Sequence, residues 1–161
     1  MISYLKEGLV DLGVVRMPIT DPQLEVRQGL QLQDCFIAGG RYAELNQKVL
    51  SIEELLQYPI ILFSRSSRAR MAITDLFQGY GYELKPEFEV GSVGLLIEFA
   101  RKGLGISFVT REFVSKELEE GSLFEIKLDV QLPPAQVGMM TMRYMPLTTA
   151  ASKFIELTRR A

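Results

Sequence analysis

The chain has 161 residues, 18 Lys or Arg against 20 Asp or Glu, 47% hydrophobic residues and 24% charged ones, which fits one domain or two small lobes and excludes a disordered or low-complexity chain. No apolar run approaches the ~18 residues of a membrane helix, and Lys6, Glu7 and Asp11 stand where an export signal needs an apolar stretch. With no His and a single Cys, the chain lacks the commonest acid–base group and can form neither an internal disulfide nor a thiolate cluster, so a cytoplasmic protein with no metal and no cofactor is expected.

Residues 2–7 read as the last turns of a helix, with Gly8 at its C-terminal cap and Leu9 as the hydrophobic contact. Residues 10–16 (VDLGVVR) read as a strand. Leu24, Val26, Leu30 and Leu32 alternate in part, and residues 35–38 are another strand candidate. Ser51-Ile52-Glu53-Glu54 is a capping box opening a short helix that Tyr58-Pro59 ends. The run PIILF, residues 59–63, is what a buried parallel strand looks like. Ser67 is placed to cap a helix with Ala69, Ile73, Leu76 and Tyr80 on one stripe, closed by Gly81. Residues 87–90 read as the next strand.

Ser92 caps the following helix, where Leu95, Leu96, Phe99 and Ala100 face inward and Glu98 pairs with Lys102. Gly103 closes it, with Leu104 as the hydrophobic contact. The strand GISFV follows at 105–109, and Thr110 caps a helix ending at Gly121. Residues 59–121 therefore read β-α-β-α-β-α, an α/β pattern with a mostly parallel sheet. Residues 137–144 form a Met-rich strand, and residues 148–158 a helix with Ala150, Ala151, Phe154 and Leu157 inward.

Gly39-Gly40 and Leu132-Pro133-Pro134 look like crossovers. They divide the chain into a first lobe of residues 1–39 plus 129–161 and a second of residues 40–128. Two α/β lobes joined by two crossovers enclose a cleft suited to a small ligand. The segment EGLVDLGVV near the start also resembles KGLGISFV at 102–109. A strand and a long helix precede the second copy, so the first lobe is expected to lack its opening strand and most of its first helix. That suggests a truncated chain or an excised domain.

Ser64, Arg65, Ser66 and Ser67, with Arg68, follow a buried strand and open a helix, where open α/β sheets bind ligands. Backbone N–H groups, hydroxyls and guanidinium groups there suit a carboxylate or phosphate; the plain alternative is a capped helix with solvated arginines. Gly91 and Ser92 occupy the next strand-to-helix turn, where Ser92 can cap its helix and still present a hydroxyl. Arg16 ends the first strand beside Met17, facing a cleft or solvent. Cys35 reads as a buried, inert thiol. Met139, Met140, Met142 and Met145 read as half-buried sheet residues. No catalytic constellation is present, the P-loop pattern is absent, and Gly103-Leu104-Gly105 lies at a helix-to-strand turn, so it is no dinucleotide fingerprint.

Several stretches in order, EGLVDLGVVRMP, DCFIAGG, SIEELLQYPIILF, RARMAITDLFQGYG, EVGSVGLLIEFARKGLGISFVT and PLTTAASKFIELTRR, make the chain resemble the effector-binding domain of LysR-type transcriptional regulators. The resemblance implies a fold similar to periplasmic binding proteins, with a small-molecule effector between two lobes and a DNA-bound homo-oligomer whose arrangement the effector shifts. By motif it implies effector-binding roles for Arg16, Met17, Ser64, Arg65, Ser66, Ser67, Gly91 and Ser92, with Thr110 bordering the cleft. The family's winged helix-turn-helix has no counterpart here, so this chain is not expected to bind DNA itself. Competing readings are a solute-binding protein for uptake, a small α/β enzyme, and a fragment with no working site.

Overall fold

The structure is a computed structural model that describes residues 1–158, Gln28 by its backbone only. The elements run α1 (Ile2–Lys6), β1 (Gly13–Arg16), β2 (Leu24–Leu32), β3 (Asp34–Ala38), a 3-10 segment (Gly40–Leu45), β4 (Val49–Leu50), α2 (Ile52–Leu55), β5 (Ile60–Phe63), α3 (Arg68–Gly79), β6 (Phe88–Val90), α4 (Val93–Arg101) and β7 (Ile106–Thr110). A second 3-10 turn (Arg111–Phe113) then leads to α5 (Ser115–Glu119), β8 (Phe124–Leu128), β9 (Ala135–Met142) and α6 (Thr149–Thr158). No helix among the described residues is long and apolar enough to cross a membrane.

The contacts divide the chain into two compact units: residues up to Leu32 together with those from Ala135 onward, and Gln33–Pro134. The division falls after Leu32 and after Pro134, where the sequence places it at 39/40 and 128/129. The reason is β3, which lies antiparallel between β7 and β8 and so belongs to the second unit's sheet. Gly39-Gly40 is therefore no passage between units; it opens the 3-10 segment.

In the first unit β9 lies between β1 and β2, antiparallel to both. Leu5, Leu24 and Met140 are its buried centre. The partial alternation of β2 has a local cause: its register with β9 shifts between Gln28 and Gln31, and a bulge there reverses the faces, leaving Leu30 exposed. In α6 the buried residues are Ala151 and Ile155, while Phe154 and Leu157, read as inward, are exposed.

The second unit has a mixed six-stranded sheet in the order β4-β8-β3-β7-β5-β6. The β6-β5-β7 and β4-β8 pairings are parallel, and β3 is antiparallel to both its neighbours. Strand β3 is buried along its whole length, as a central strand covered on both faces must be. Phe36 and Ala38 join one core with Leu62, Phe108 and residues of α2 and α3; Cys35 and Ile37 join the other with Val109, Ala100 of α4 and Leu118 of α5. Burying one such side chain contributes roughly 1.5–3 kcal/mol.

Local chemistry places the helix ends. Ser51 accepts from the Glu54 N–H at 3.1 Å, and the Glu54 carboxylate accepts from the Ser51 N–H at 2.8 Å, the reciprocal capping box. The two related segments read from sequence end their helices identically. Gly8 (φ +70°) and Gly103 (φ +69°) take the left-handed conformation; Leu9 donates to the Tyr4 carbonyl at 2.8 Å and Leu104 to that of Phe99 at 3.0 Å. Both are Schellman caps.

Four further readings change. Helix α3 buries Arg70, Ile73 and Phe77, and Tyr80 is exposed. In α4 Leu95 is exposed and Glu98 pairs with Arg101 rather than Lys102. Thr110 precedes the 3-10 turn, not a continuous helix, and makes no side-chain cap; α5 starts only at Ser115.

Candidate functional site

Because β5, β6 and β7 are parallel neighbours, their C-terminal ends lie along one edge of the second unit's sheet. Residues Ser64–Ser67 follow β5, Gly91 and Ser92 follow β6, and Thr110 ends β7. The fold thus brings these expected positions to adjacent loops. Arg16 and Met17 end β1 in the other unit. There Met17 donates its N–H to the Gln136 carbonyl at 2.8 Å.

The loop after β5 is pinned by its backbone. Ser64 donates its N–H to Val90 at 3.0 Å and accepts that of Ser67 at 2.9 Å. The Ser64 and Ser66 hydroxyls stand 3.5 Å apart. Ser67 has extended backbone angles at the N-cap of α3, yet its side chain makes no cap hydrogen bond. Its hydroxyl is therefore not used for the helix, and the first-turn N–H groups have no intrahelical acceptor. Ser92 differs: its Oγ accepts the Leu95 N–H at 3.3 Å. Both serines read alike in sequence, but only Ser92 is a side-chain cap.

Glu89, which the sequence reading does not single out, faces Arg65. Its carboxylate accepts the Arg65 backbone N–H at 3.4 Å and lies 3.4 Å from the Arg65 Nε. The Arg65 side chain is 84% exposed, so this pair stabilises little, but it puts a carboxylate beside the cation that the sequence offers to an anion. Period-two alternation on β6 could have flagged Glu89, since it pairs in register with Leu62 of β5.

Thr110 is buried and donates its hydroxyl to Asp34 Oδ1 at 3.0 Å, across the facing positions of β7 and β3. Beside it, Glu112 accepts the Gln33 N–H, with both carboxylate oxygens at 3.2 Å. The Thr110 hydroxyl holds two strand ends together. The lone thiol, Cys35, is buried, and burial pushes its pKa well above the ordinary thiol value, with Glu125 adding to the rise. It fits an inert core residue.

Arg70, another residue the sequence reading passes over, is 7% exposed. Its Nη2 donates to the Leu84 carbonyl at 3.4 Å, while its buried Nη1 has no acceptor among the described residues. An unsatisfied buried donor costs about 1–3 kcal/mol, more for a charged group. Burial lowers the pKa of this guanidinium, Glu89 opposing and Arg65 adding to the effect; an arginine still stays charged near neutrality. No cluster of three or more His, Cys, Asp or Glu able to hold a metal occurs among the described residues.

A family model described as the LysR substrate binding domain matches residues 1–161. The HTH-type transcriptional activator CmpR of Synechocystis is 26% identical over 136 residues, covering 84% of this chain and 44% of that protein. The solved regulatory domain of Synechocystis CcmR in complex with 2-PG has a TM-score of 0.86 at 18% identity, covering 99% of this chain and 76% of that one. The effector binding domain of QuiR in complex with shikimate has a TM-score of 0.81 at 16% identity, covering 99% and 75%. The α/β fold expected from sequence is the one these domains have, and the chain spans less than half the length of the curated relative.

Proposed function

The chain belongs to the LysR substrate-binding domain family, and from that premise we propose that it is the ligand-sensing part of a cytoplasmic transcriptional regulator and not an enzyme. Its effector is a small anionic metabolite. Ser64, Arg65, Ser66, Ser67, Gly91 and Ser92 bind it, as do Arg16 and Met17. The regulator acts as a homo-oligomer and reaches DNA through a helix-turn-helix outside this sequence. The effector regulates by binding one arrangement of that oligomer more tightly than another.

The observation that carries this reading is the alignment of the loops after β5, β6 and β7 on one sheet edge, with the Ser67 hydroxyl unused at a helix N-terminus. A helix N-terminus, a hydroxyl and a guanidinium together suit a carboxylate or phosphate oxygen. Solved relatives that hold 2-PG and shikimate support the same class. Thr110 has a different role in this proposal: its hydroxyl is committed to Asp34, so it shapes the edge without touching the ligand.

Thermal unfolding of the chain against organic acids, sugar phosphates and amino acids tests this. A ligand at ~100 times its Kd adds about 2.7 kcal/mol, and each kcal/mol moves the midpoint of a chain this size by roughly 2–4 °C. Arg16→Gln and Arg65→Gln should each weaken the response without unfolding the chain. A panel with no active compound, or equal affinity in both variants, overturns the assignment.

A further inference from the structure

Glu89 lies on β6 between Phe88 and Val90. Those two turn toward α4: Phe88 meets Phe99 edge-on, with ring centroids 5.6 Å apart, and Val90 packs with Ile61 and Leu96. Successive side chains of a strand point to opposite faces, so Glu89 projects on the other side of the sheet. There its Oε1 accepts the Arg65 N–H at 3.4 Å, and its Oε2 stands 3.4 Å from the Arg65 Nε. The loop after β5 therefore already holds a carboxylate, and it is the chain's own. That carboxylate is 38% exposed, and both contacts are long beside the roughly 2.7–2.9 Å of a strong charge-assisted hydrogen bond. Its charge also supports the buried guanidinium of Arg70.

We propose that Glu89 is a specificity-determining residue of the effector loop: its carboxylate competes with the effector for the Arg65 N–H and Nε, and so shifts the loop's preference toward a carboxylate and away from a phosphate. This rests on the reading of residues 64–67 as the anion site. The long contacts of Glu89 let an incoming anion take its place at Arg65. The carboxylate nevertheless stays tethered to β6 close by, and its repulsion grows with the charge of the incoming group. A group with two negative charges is penalised twice as strongly as a group with one.

Two-dimensional amide NMR of the full chain tests it, with sodium acetate as the singly charged probe and methyl phosphate as the doubly charged one. The titrations run at about pH 8, above the second pKa of about 6 of a phosphate monoester, and at constant ionic strength, because salt screens exposed charges. The amide signals of Ser66 and Ser67 report binding. Glu89→Gln keeps an acceptor for the Arg65 N–H and removes the charge. It should tighten methyl phosphate about tenfold and acetate about threefold, since the repulsion it relieves scales with the charge of the probe. Glu87→Gln removes an exposed carboxylate just before β6 and should change both affinities by less than about twofold. If Glu89→Gln loses its dispersed spectrum, Glu89→Asp keeps a charge for Arg70 and draws it back from Arg65, and should tighten methyl phosphate about threefold. Equal gains for the two probes, gains below about twofold in both Glu89 variants, or a Glu87→Gln gain that matches them would overturn the role of Glu89 and leave the effector loop standing. No saturable shift of Ser66 or Ser67 with either probe in any of these chains would overturn the effector loop, and this inference with it.

Discussion

The Thr110 hydroxyl donates to the Asp34 carboxylate at 3.0 Å, and both residues are buried at the ends of paired strands. Thr110→Val keeps the shape and removes the donor. Leaving a buried carboxylate short of a partner costs about 1–3 kcal/mol, so the melting midpoint should fall by roughly 2–12 °C. Effector affinity, measured by calorimetry well below that midpoint, should stay within about twofold, a difference of ~0.4 kcal/mol. A variant that melts normally but loses the ligand would return Thr110 to the binding surface.

Ser67 and Ser92 open α3 and α4 from equivalent turns, and only Ser92 accepts a hydrogen bond from its helix. Ser92→Ala should therefore destabilise the chain by about 1 kcal/mol, the usual loss of an N-cap side chain. Ser67→Ala should change stability by less than ~0.5 kcal/mol, like an ordinary surface substitution, yet weaken effector binding. Urea titrations of both variants check the contrast. Equal destabilisation would mean that the Ser67 hydroxyl caps α3 in solution.

What could be read from the sequence was local. The capping box at Ser51 and the matched glycine caps at Gly8 and Gly103 depend on residues a few positions apart, so their chemistry shows in the string. Strand β3 does not: its place is set by Asp34 facing Thr110 and Phe36 facing Ile126, and no local pattern carries that pairing. Strand β8 went unread because its sequence, FEIKL, is short and its charged residues interrupt the apolar run. The site was half legible. Its loops follow from strand-to-helix turns, but Glu89, Asp34 and Arg70 were missed because polar residues are read as outward until packing shows Glu89 beside Arg65, Asp34 beside Thr110 and Arg70 buried against Leu84.

The two glycines at residues 39 and 40 have different reasons to be small. A Cβ built on Gly39 would lie 2.5 Å from the Ala100 carbonyl oxygen and 3.0 Å from that of Arg101, whereas one on Gly40 meets nothing within 4 Å. The obstacle at Gly39 is backbone at the end of α4, which cannot swing aside as a side chain does. Gly39→Ala should therefore destabilise by about 1–3 kcal/mol, the usual range for overpacking. Gly40→Ala should be neutral or slightly stabilising, because it restricts the unfolded chain. Denaturant midpoints of the two variants give the comparison, and similar values would show that the contact with α4 relaxes freely.

Lys6 at the end of α1 lies 2.7 Å from the Asp21 carboxylate, which also accepts the Gln23 N–H at 3.0 Å. The Lys6 hydrogen bond, and then that of Gln23, hold the Asp21 pKa below its ordinary 3.8. A depressed carboxylate favours the folded state above the unfolded pKa, and that contribution is lost as pH falls through the lower folded value. Lys6→Met should raise the Asp21 pKa toward 3.8 without fully restoring it, since Gln23 still donates. A carboxyl carbon NMR titration from pH 7 down to about 2, below the ordinary carboxylate range, measures both values directly. The pair is surface-facing, so added salt should shrink the difference between the two chains. An Asp21 titration that is the same with and without Lys6 would show that α1 is not tied to this loop in solution.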